Sequence, residues 1–223
     1  LSDGSGIIVS GNEKGSTVTQ LWLLQLKDGS VRRITNDLNN YHTVSLGQDS
    51  RTLCIIQFES RANLWIVPGA DASKAMQITT GKEEGLGGVT FTPDGRFIYT
   101  NQSGGNVDLW ICNADGSGQR QLTSESSYEY SPAVSPDGRT VFFVSGHAGI
   151  PNIWKIGIDG SKLQQLTFGG EDYSPEVSVD GEWLYFSSWD SGISFIMKVP
   201  VEGGEPTVVY DKGTSFYPRV SPD

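Results

Sequence analysis

The chain has 223 residues and a net charge of −10, with 28 glycines and only 19% charged residues. One domain is expected at this length, and the composition is typical of a loop-rich β-protein rather than a helical bundle or a disordered chain. Too few cations are present to build the large basic face of a nucleic-acid binder. No stretch approaches the roughly 18 apolar residues of a membrane-spanning helix, so no membrane insertion is expected.

Three short patterns recur along the chain and share one frame of about 44 residues. The first is a turn built on an aspartate, found at Asp3, Asp49, Asp94, Asp137, Asp180 and Asp223. The second is an apolar residue followed by tryptophan, at Trp22, Trp65, Trp110 and Trp154. The third is Ile or Leu followed by threonine, at Thr35, Thr79, Thr123 and Thr167. Because three independent patterns keep the same spacing, the sequence predicts a repeat architecture.

Each repeat is predicted to contain four short strands. In the fourth repeat they are residues 133–135, 140–145, 152–158 and 163–166. The Pro-Asp-Gly segment favours a tight turn after the first strand, and no segment shows the apolar spacing of a helix. Four antiparallel strands in about 40–45 residues are typical of one β-propeller blade. The predicted fold class is therefore an all-β propeller of five four-stranded repeats.

The repeat frame places all blades in a single domain, residues 1–223. The predicted blades are residues 1–40 with a closing strand at 214–223, then 41–84, 85–128, 129–171 and 172–213. A strand at 217–221 would complete the blade opened by residues 6–10, which favours a closed five-bladed ring. The alternative is five blades of a six- or seven-bladed ring. Since the chain starts at Leu1 in mid-pattern, we expect it to be a mature or excised portion of a longer protein.

The repeats resemble the TolB-type, or Pro-Asp, β-propeller family. The resemblance rests on Tyr130-Ser131-Pro132, on the Ser135–Arg139 turn, on Ile153-Trp154 and on Leu166-Thr167. It covers essentially the whole chain and implies a propeller fold. Proteins with similar repeats include periplasmic proteins that bind other proteins, gating propellers of some serine peptidases, and extracytoplasmic sensor domains of bacterial regulators.

One face of the predicted propeller gathers aromatic and acidic side chains. They lie where the fourth strand of one blade passes to the first strand of the next, or on a loop that reaches the same face. The residues are His42, Glu83, Glu84, Glu129, Tyr130, Glu171, Asp172, Tyr173, Trp189 and Phe216. Aromatic anchors with a charged rim are typical of a recognition surface. Alternatively, the tyrosines only start their strands and pack against the neighbouring blade.

No catalytic motif accompanies this face. His42 and His147 are the only histidines, and no Gly-x-Ser-x-Gly segment occurs, so we predict neither an enzyme, a metal site nor a cofactor. The predicted function is a monomeric, non-catalytic scaffold that binds a protein or peptide, with basic partners favoured by the charge of −10. The alternatives are a gating propeller of a larger enzyme such as a serine peptidase, and a small-ligand or sugar sensor. The family resemblance implies a periplasmic or other extracytoplasmic location in a bacterium.

Overall fold

A computed structural model describes most of the chain. The described residues are 1, 3–14, 16, 18–37, 39–49, 52–59, 61–81, 83–103, 106–212 and 217–221. They form short strands whose ladders are antiparallel, and two 3-10 turns at Pro68–Ala70 and Ala72–Lys74. The chain divides into two compact units, Leu1–Arg61 with Ser103–Asn106, and Ala62–Gln102 with Val107–Asp223.

The first unit contains a three-stranded sheet and a two-stranded sheet. The strands of the larger sheet are β1 (Gly6–Gly11), β2 (Gln20–Gln25) and β3 (Val31–Arg33), and those of the smaller sheet are β4 (Asn40–Leu46) and β5 (Leu53–Phe58). The Trp22 indole N–H donates to the carbonyl of Gly11 at 3.0 Å, and the Arg33 guanidinium lies 5.6 Å from the Trp22 ring centroid.

The second unit contains one two-stranded sheet and three four-stranded sheets, each of which follows the chain in strand order. The two-stranded sheet is β6 (Trp65–Ile66) with β7 (Met76–Gln77). The first four-stranded sheet consists of β8 (Val89–Phe91), β9 (Phe97–Ser103), β10 (Asn106–Cys112) and β11 (Arg120–Gln121). The second consists of β12 (Glu129–Val134), β13 (Thr140–Ser145), β14 (Asn152–Gly157) and β15 (Gln164–Gln165). The third consists of β16 (Glu171–Val177), β17 (Trp183–Asp190), β18 (Ile193–Pro200) and β19 (Thr207–Tyr210). The prediction of four antiparallel strands per repeat is confirmed for these three repeats.

The predicted Pro-Asp-Gly turns form through aspartate side chains. In the turn between β12 and β13, Asp137 Oδ1 accepts hydrogen bonds from the Ser135 hydroxyl at 2.6 Å and from the Arg139 N–H at 3.0 Å. Gly138 adopts a φ of 72°, a left-handed conformation that glycine reaches without strain. These hydrogen bonds hold the pKa of Asp137 below its usual value.

The core lies between successive sheets of the second unit. Phe142 and Val144 of β13 join a buried cluster with Leu184 of β17, whereas Val141 and Phe143 join another with Leu109 of β10. Because side chains alternate across a strand, each face of β13 is buried against a different neighbour. This explains why the strand is an uninterrupted apolar run rather than an alternating one.

The second repeat differs from the expected blade. Its strands form two separate two-stranded sheets, β4–β5 and β6–β7. Its repeat tryptophan, Trp65, is 57% exposed, whereas Trp110 and Trp154 pack against buried clusters.

Ring closure stays a prediction. The described residues 217–221 belong to no strand, and Arg219 instead contacts Glu176 of β16 through an ion pair of 2.8 Å. The remainder of the predicted closing strand, residues 214–216 and 222–223, lies outside the described residues. The number of blades in the native ring is likewise a prediction.

Candidate functional site

Two tyrosines of the predicted face are positioned by matching bulges in β12 and β16. The strand register shifts between Tyr130 and Ala133, and again between Tyr173 and Glu176. Within each bulge a serine has positive φ, 53° at Ser131 and 54° at Ser174. Such a conformation is uncommon for a residue other than glycine, so the surrounding structure must hold it in place. The bulges bring the rings of Tyr130 and Tyr173 to a centroid distance of 6.4 Å.

A cavity of about 390 Å³ opens beside these rings. Four aromatic side chains and one carboxylate dominate its lining. We call it the aromatic pocket and define it by Tyr130, Glu171, Tyr173, Trp189 and Tyr217. Glu171 pairs with Trp189 across β16 and β17, so the strand register itself places these two residues at one end of the sheet. The Trp189 side chain is 38% exposed at the pocket.

The phenols of Tyr130 and Tyr173 are neutral hydrogen-bonding groups. The Tyr173 hydroxyl donates to Glu171 Oε2 at 2.8 Å. Burial, and then this carboxylate, raise the pKa of Tyr173 to about 12. Burial also raises the pKa of Tyr130 above its ordinary value. The two tyrosines therefore offer ring faces and hydroxyl groups, while Glu171 contributes the carboxylate.

Three serines border the aromatic pocket. Ser187, Ser188 and Ser194 of β17 and β18 line it. Ser187 is 2% exposed, and its hydroxyl oxygen has no hydrogen-bond partner. A buried hydroxyl without a partner is costly, which makes it a ready contact for a bound polar group.

Three of the predicted face residues are buried. Glu84, Glu129 and Asp172 are 7%, 1% and 2% exposed, so they are not part of the accessible surface. Glu84 Oε2 accepts from the Gly81 N–H at 2.7 Å, and Glu129 Oε2 accepts from the Thr123 hydroxyl. Asp172 accepts hydrogen bonds from Ser188, Thr167 and Asn152.

The threonine of the third sequence pattern is held to the sheet by its hydroxyl group. Its hydroxyl accepts a hydrogen bond from the backbone N–H that precedes the repeat tryptophan or its equivalent. The donor–acceptor pairs are Leu64 to Thr79 at 2.9 Å, Leu109 to Thr123 at 2.9 Å and Ile153 to Thr167 at 3.0 Å. An acidic residue five or six positions after each of these threonines was the sequence pattern that could have revealed the buried network.

Burial controls the protonation of this network. Burial, with a smaller contribution from the neighbouring Asp108 carboxylate, raises the pKa of Glu129 to about 8 against the hydrogen bond from Thr123. Burial also raises the pKa of Asp108 to about 6, and that of Asp172 above its usual value. These groups are polar core residues of the blades, and Glu129 is protonated at neutral pH.

The remaining predicted residues are not part of the aromatic pocket. His42 lies in β4 of the first unit, where its ring meets Phe58 edge-on at 5.8 Å. Glu83 is half-buried and has a φ of 54°. Phe216 lies outside the described residues. Sequence reasoning missed Tyr217 and the serines, because nothing in the repeat frame shows which small side chains border a cavity.

A family model described as TolB beta propeller domain, PD40, matches residues 49–223. The chain belongs to this family. The resemblance stated from the Tyr-Ser-Pro and Pro-Asp-Gly patterns is thereby confirmed.

Curated relatives of this TolB-type propeller come from several bacteria. An Agrobacterium fabrum protein without assigned function is 29% identical over 68% of this chain and 55% of its own length. The Tol-Pal system protein TolB of Anaeromyxobacter dehalogenans is 38% identical over 38% of this chain and 19% of its own. A TolB homolog of Chlorobium luteolum is 27% identical over 68% of this chain and 34% of its own. The matches thus span about half or less of the relatives' lengths.

Solved structures share the fold of this TolB-type propeller. A structure assigned to TolB from Agrobacterium tumefaciens has a TM-score of 0.63 at 20% identity, covering 99% of this chain and 83% of that one. TolB from Acinetobacter baumannii has a TM-score of 0.59 at 18% identity, covering 94% of this chain and 54% of that one. An oligogalacturonate lyase from Vibrio parahaemolyticus has a TM-score of 0.51 at 18% identity, covering 94% and 63%.

Two kinds of feature are absent from the described residues. They contain no helix long and apolar enough to span a membrane. Within the same part of the chain, no group of three or more His, Cys, Asp or Glu residues could hold a metal ion.

Proposed function

We propose that this TolB-type propeller is a non-catalytic scaffold that binds a protein or peptide through the face carrying the aromatic pocket. One observation carries the proposal: Tyr130, Glu171, Tyr173 and Trp189, predicted as recognition residues, line a single open cavity. Tyrosine and tryptophan in a concave, partly desolvated site are the residue types that dominate binding energy at protein interfaces. The rigid blades fix the frame, and the residues at the strand ends carry specificity.

The chemistry of the aromatic pocket supports binding rather than catalysis. Among its described lining residues, Glu171 is accompanied by phenols and serine hydroxyls, without a histidine or lysine that could serve as a base. We place the protein in the periplasm or another extracytoplasmic space of a bacterium, by analogy with its TolB relatives. We propose a monomer that binds neither nucleic acid nor membrane.

Two alternatives follow from the same fold. A gating propeller of a larger enzyme would use the face as an intramolecular contact. A small-ligand sensor would use the aromatic pocket itself, whose 390 Å³ lies within the volume range of small-molecule sites. A thermal-shift screen in which sugars or metabolites stabilise the chain, and peptides do not, would favour the sensor.

The proposal is tested by removing the pocket side chains together. The variant Tyr130→Ala/Glu171→Ala/Tyr173→Ala should retain about a tenth or less of the wild-type capture of its partner, because interface aromatics act as binding hot spots. The measurement is a quantitative pull-down from bacterial envelope extract, with captured proteins identified and then re-measured in purified form.

The matched control changes the other end of the same blade. Glu202 and Glu205 follow β18 in the turn before β19, whereas Trp189 lies at the opposite end of β17. Glu202→Ala/Glu205→Ala should capture the partner as the wild type does. Thermal unfolding and circular dichroism establish that the triple variant is folded. Equal capture by a folded triple variant and by the wild type would disprove the proposal.

A further inference from the structure

The aromatic pocket has the composition of a site for a cation. The rings of Tyr130 and Tyr173 are tilted by 31° at 6.4 Å, and Trp189 and Tyr217 complete the wall. Aromatic ring faces carry a partial negative charge and attract a cation within about 6 Å of their centroids. Glu171 adds a formal negative charge in the same wall.

The described lining of the aromatic pocket contains no cationic side chain. Glu171 is the single formally charged side chain of its described lining, and the other lining residues are aromatic tyrosine and tryptophan or serine. The nearby Arg219 is engaged with Glu176 at 2.8 Å. Elsewhere this chain does place cations on indole rings, with Lys198 at 4.1 Å from the Trp183 centroid.

A second observation points to a polar, hydrogen-bonding ligand. Ser187 borders the aromatic pocket, and its hydroxyl is buried and lacks a partner. A donor that reaches this hydroxyl from the pocket would give it the hydrogen bond that it lacks. A ligand that satisfies both Ser187 and Glu171 therefore needs several N–H donors and a positive charge.

These requirements single out the guanidinium group. It is planar, stacks on aromatic faces and carries five donors, two of which match one carboxylate. A lysine ammonium is a compact, strongly hydrated charge and lacks the planar surface for the rings. The cavity of about 390 Å³ is at the lower end of small-molecule sites, a size suited to one side chain.

We propose that the aromatic pocket binds an arginine side chain of the partner protein or peptide, stacked on the rings of Tyr173 and Trp189 and paired with Glu171. This inference rests on the proposed binding function and specifies the anchor that the partner provides. It also gives the chain's acidic charge a local role, since Glu171 is where a basic partner is recognised.

The direct test uses N-acetyl-arginine amide as the probe. Titrated into the full chain, it should shift the indole N–H resonance of Trp189 saturably in heteronuclear NMR, with the resonance assigned through Trp189→Phe. N-acetyl-citrulline amide has nearly the same shape without the charge and should bind about tenfold or more weakly, as a charge-assisted hydrogen bond predicts. Glu171→Gln should weaken the arginine probe by a similar factor, whereas Glu202→Gln should not.

Equal binding of the arginine and citrulline probes would overturn the inference, as would an unshifted Trp189 resonance at saturating probe. A displayed peptide library separates this failure from failure of the proposed function. One contrary outcome is a set of peptides that lack arginine and still bind the wild type but not the Tyr130→Ala/Glu171→Ala/Tyr173→Ala variant. Such peptides would disprove the arginine anchor and support the proposed binding face. If every peptide selected from the library binds the wild type and the triple variant equally, both the arginine anchor and the proposed binding face are disproved.

Discussion

Two junctions between successive sheets of the second unit use the same positions with different chemistry. We call the first the acid–acid junction, after Asp108 and Glu129, and it also contains Gln121 and Thr123. We call the second the amide–acid junction, after Asn152 and Asp172, and it also contains Gln165 and Thr167. In both, the glutamine amide donates to the residue before the apolar-tryptophan pair, at 3.1 Å. The repeat frame thus reproduces the geometry, and a single exchange of amide for acid decides whether one or two carboxylates are buried.

The exchange changes how well the buried oxygens are satisfied. Asn152 Nδ2 donates to the Gly170 carbonyl at 2.8 Å, whereas Asp108 Oδ1 and Glu129 Oε1 have no hydrogen-bond partner. Buried carboxylates without partners keep their protons more tightly, consistent with a pKa of about 8 for Glu129. A repeat protein can therefore hold a titratable site in one junction and a neutral counterpart in the next.

The largest effect is expected from converting the amide–acid junction into an acid–acid one. Asn152→Asp removes the donor to Gly170 and places a second carboxylate beside Asp172. At pH 8 we expect the free energy of unfolding to fall by roughly 3 kcal/mol, the cost of an uncompensated buried charge. Urea unfolding at pH 8 and pH 5 measures it, and acidification should recover most of the loss. An unchanged stability at pH 8 would show that the two junctions are not equivalent.

A second prediction concerns the pH dependence that Glu129 imposes. The folded protein holds this proton up to a pKa of about 8, whereas the unfolded chain releases it near its ordinary value of 4.5. Between these values the folded state binds more protons, so stability is lost as pH rises. The wild type should lose roughly 3 kcal/mol between pH 5 and pH 8 relative to Glu129→Gln.

Urea titrations of both proteins across this range measure that difference. The turn aspartates such as Asp137 have a lowered pKa, so their contribution to stability is already complete at pH 5. It therefore does not change between pH 5 and pH 8 and does not mask the effect of Glu129. Asp172→Asn serves as the control at the other junction and should change the slope less, because three hydrogen bonds counteract the effect of burial on the pKa of Asp172. Parallel curves for the wild type and Glu129→Gln would contradict the prediction.

The smallest effect is expected from making the acid–acid junction resemble its neighbour. Asp108→Asn keeps the acceptor for Gln121 and replaces an unpartnered carboxylate oxygen by an amide. It should raise the free energy of unfolding at pH 7 by about 1 kcal/mol, the scale of one hydrogen bond. Calorimetric melting at pH 7 would reveal a higher midpoint, and a lower midpoint would mean that the Asp108 carboxylate has a stabilising contact of its own.

The repeat frame was sufficient to predict much of the fold. Strand β13 has the predicted bounds, because its apolar run lies between a Pro-Asp-Gly turn and a loop. Strand β12 begins at Glu129, four residues before the predicted start at Ala133, because pairing continues through the bulge at Ser131. A bulge depends on the partner strand and the next blade, neither of which the local sequence specifies.

The candidate site was predicted in part for the same reason. Tyr130 and Tyr173 occupy aligned repeat positions, so their meeting follows from the frame. Whether a carboxylate beside them is exposed or buried depends on contacts made in three dimensions. Glu171 faces the aromatic pocket while its neighbour Asp172 points into the sheet junction, as the alternation of side chains along a strand requires.

The bulges in β12 and β16 also limit how this chain can change in length. In each bulge three steps along the strand lie opposite two on its partner, so deleting Ser131 or Ser174 would leave a regular ladder and remove the local irregularity that follows each tyrosine. Insertions and deletions should accordingly accumulate in turns that face open solvent, such as those at Gly149 and Gly192, where nothing lies within 4 Å of an added Cβ atom. Descendants of this sequence can vary the exposed side chains of the aromatic pocket, such as Trp189 and Tyr217, but they must keep the residue count of the strands that hold it.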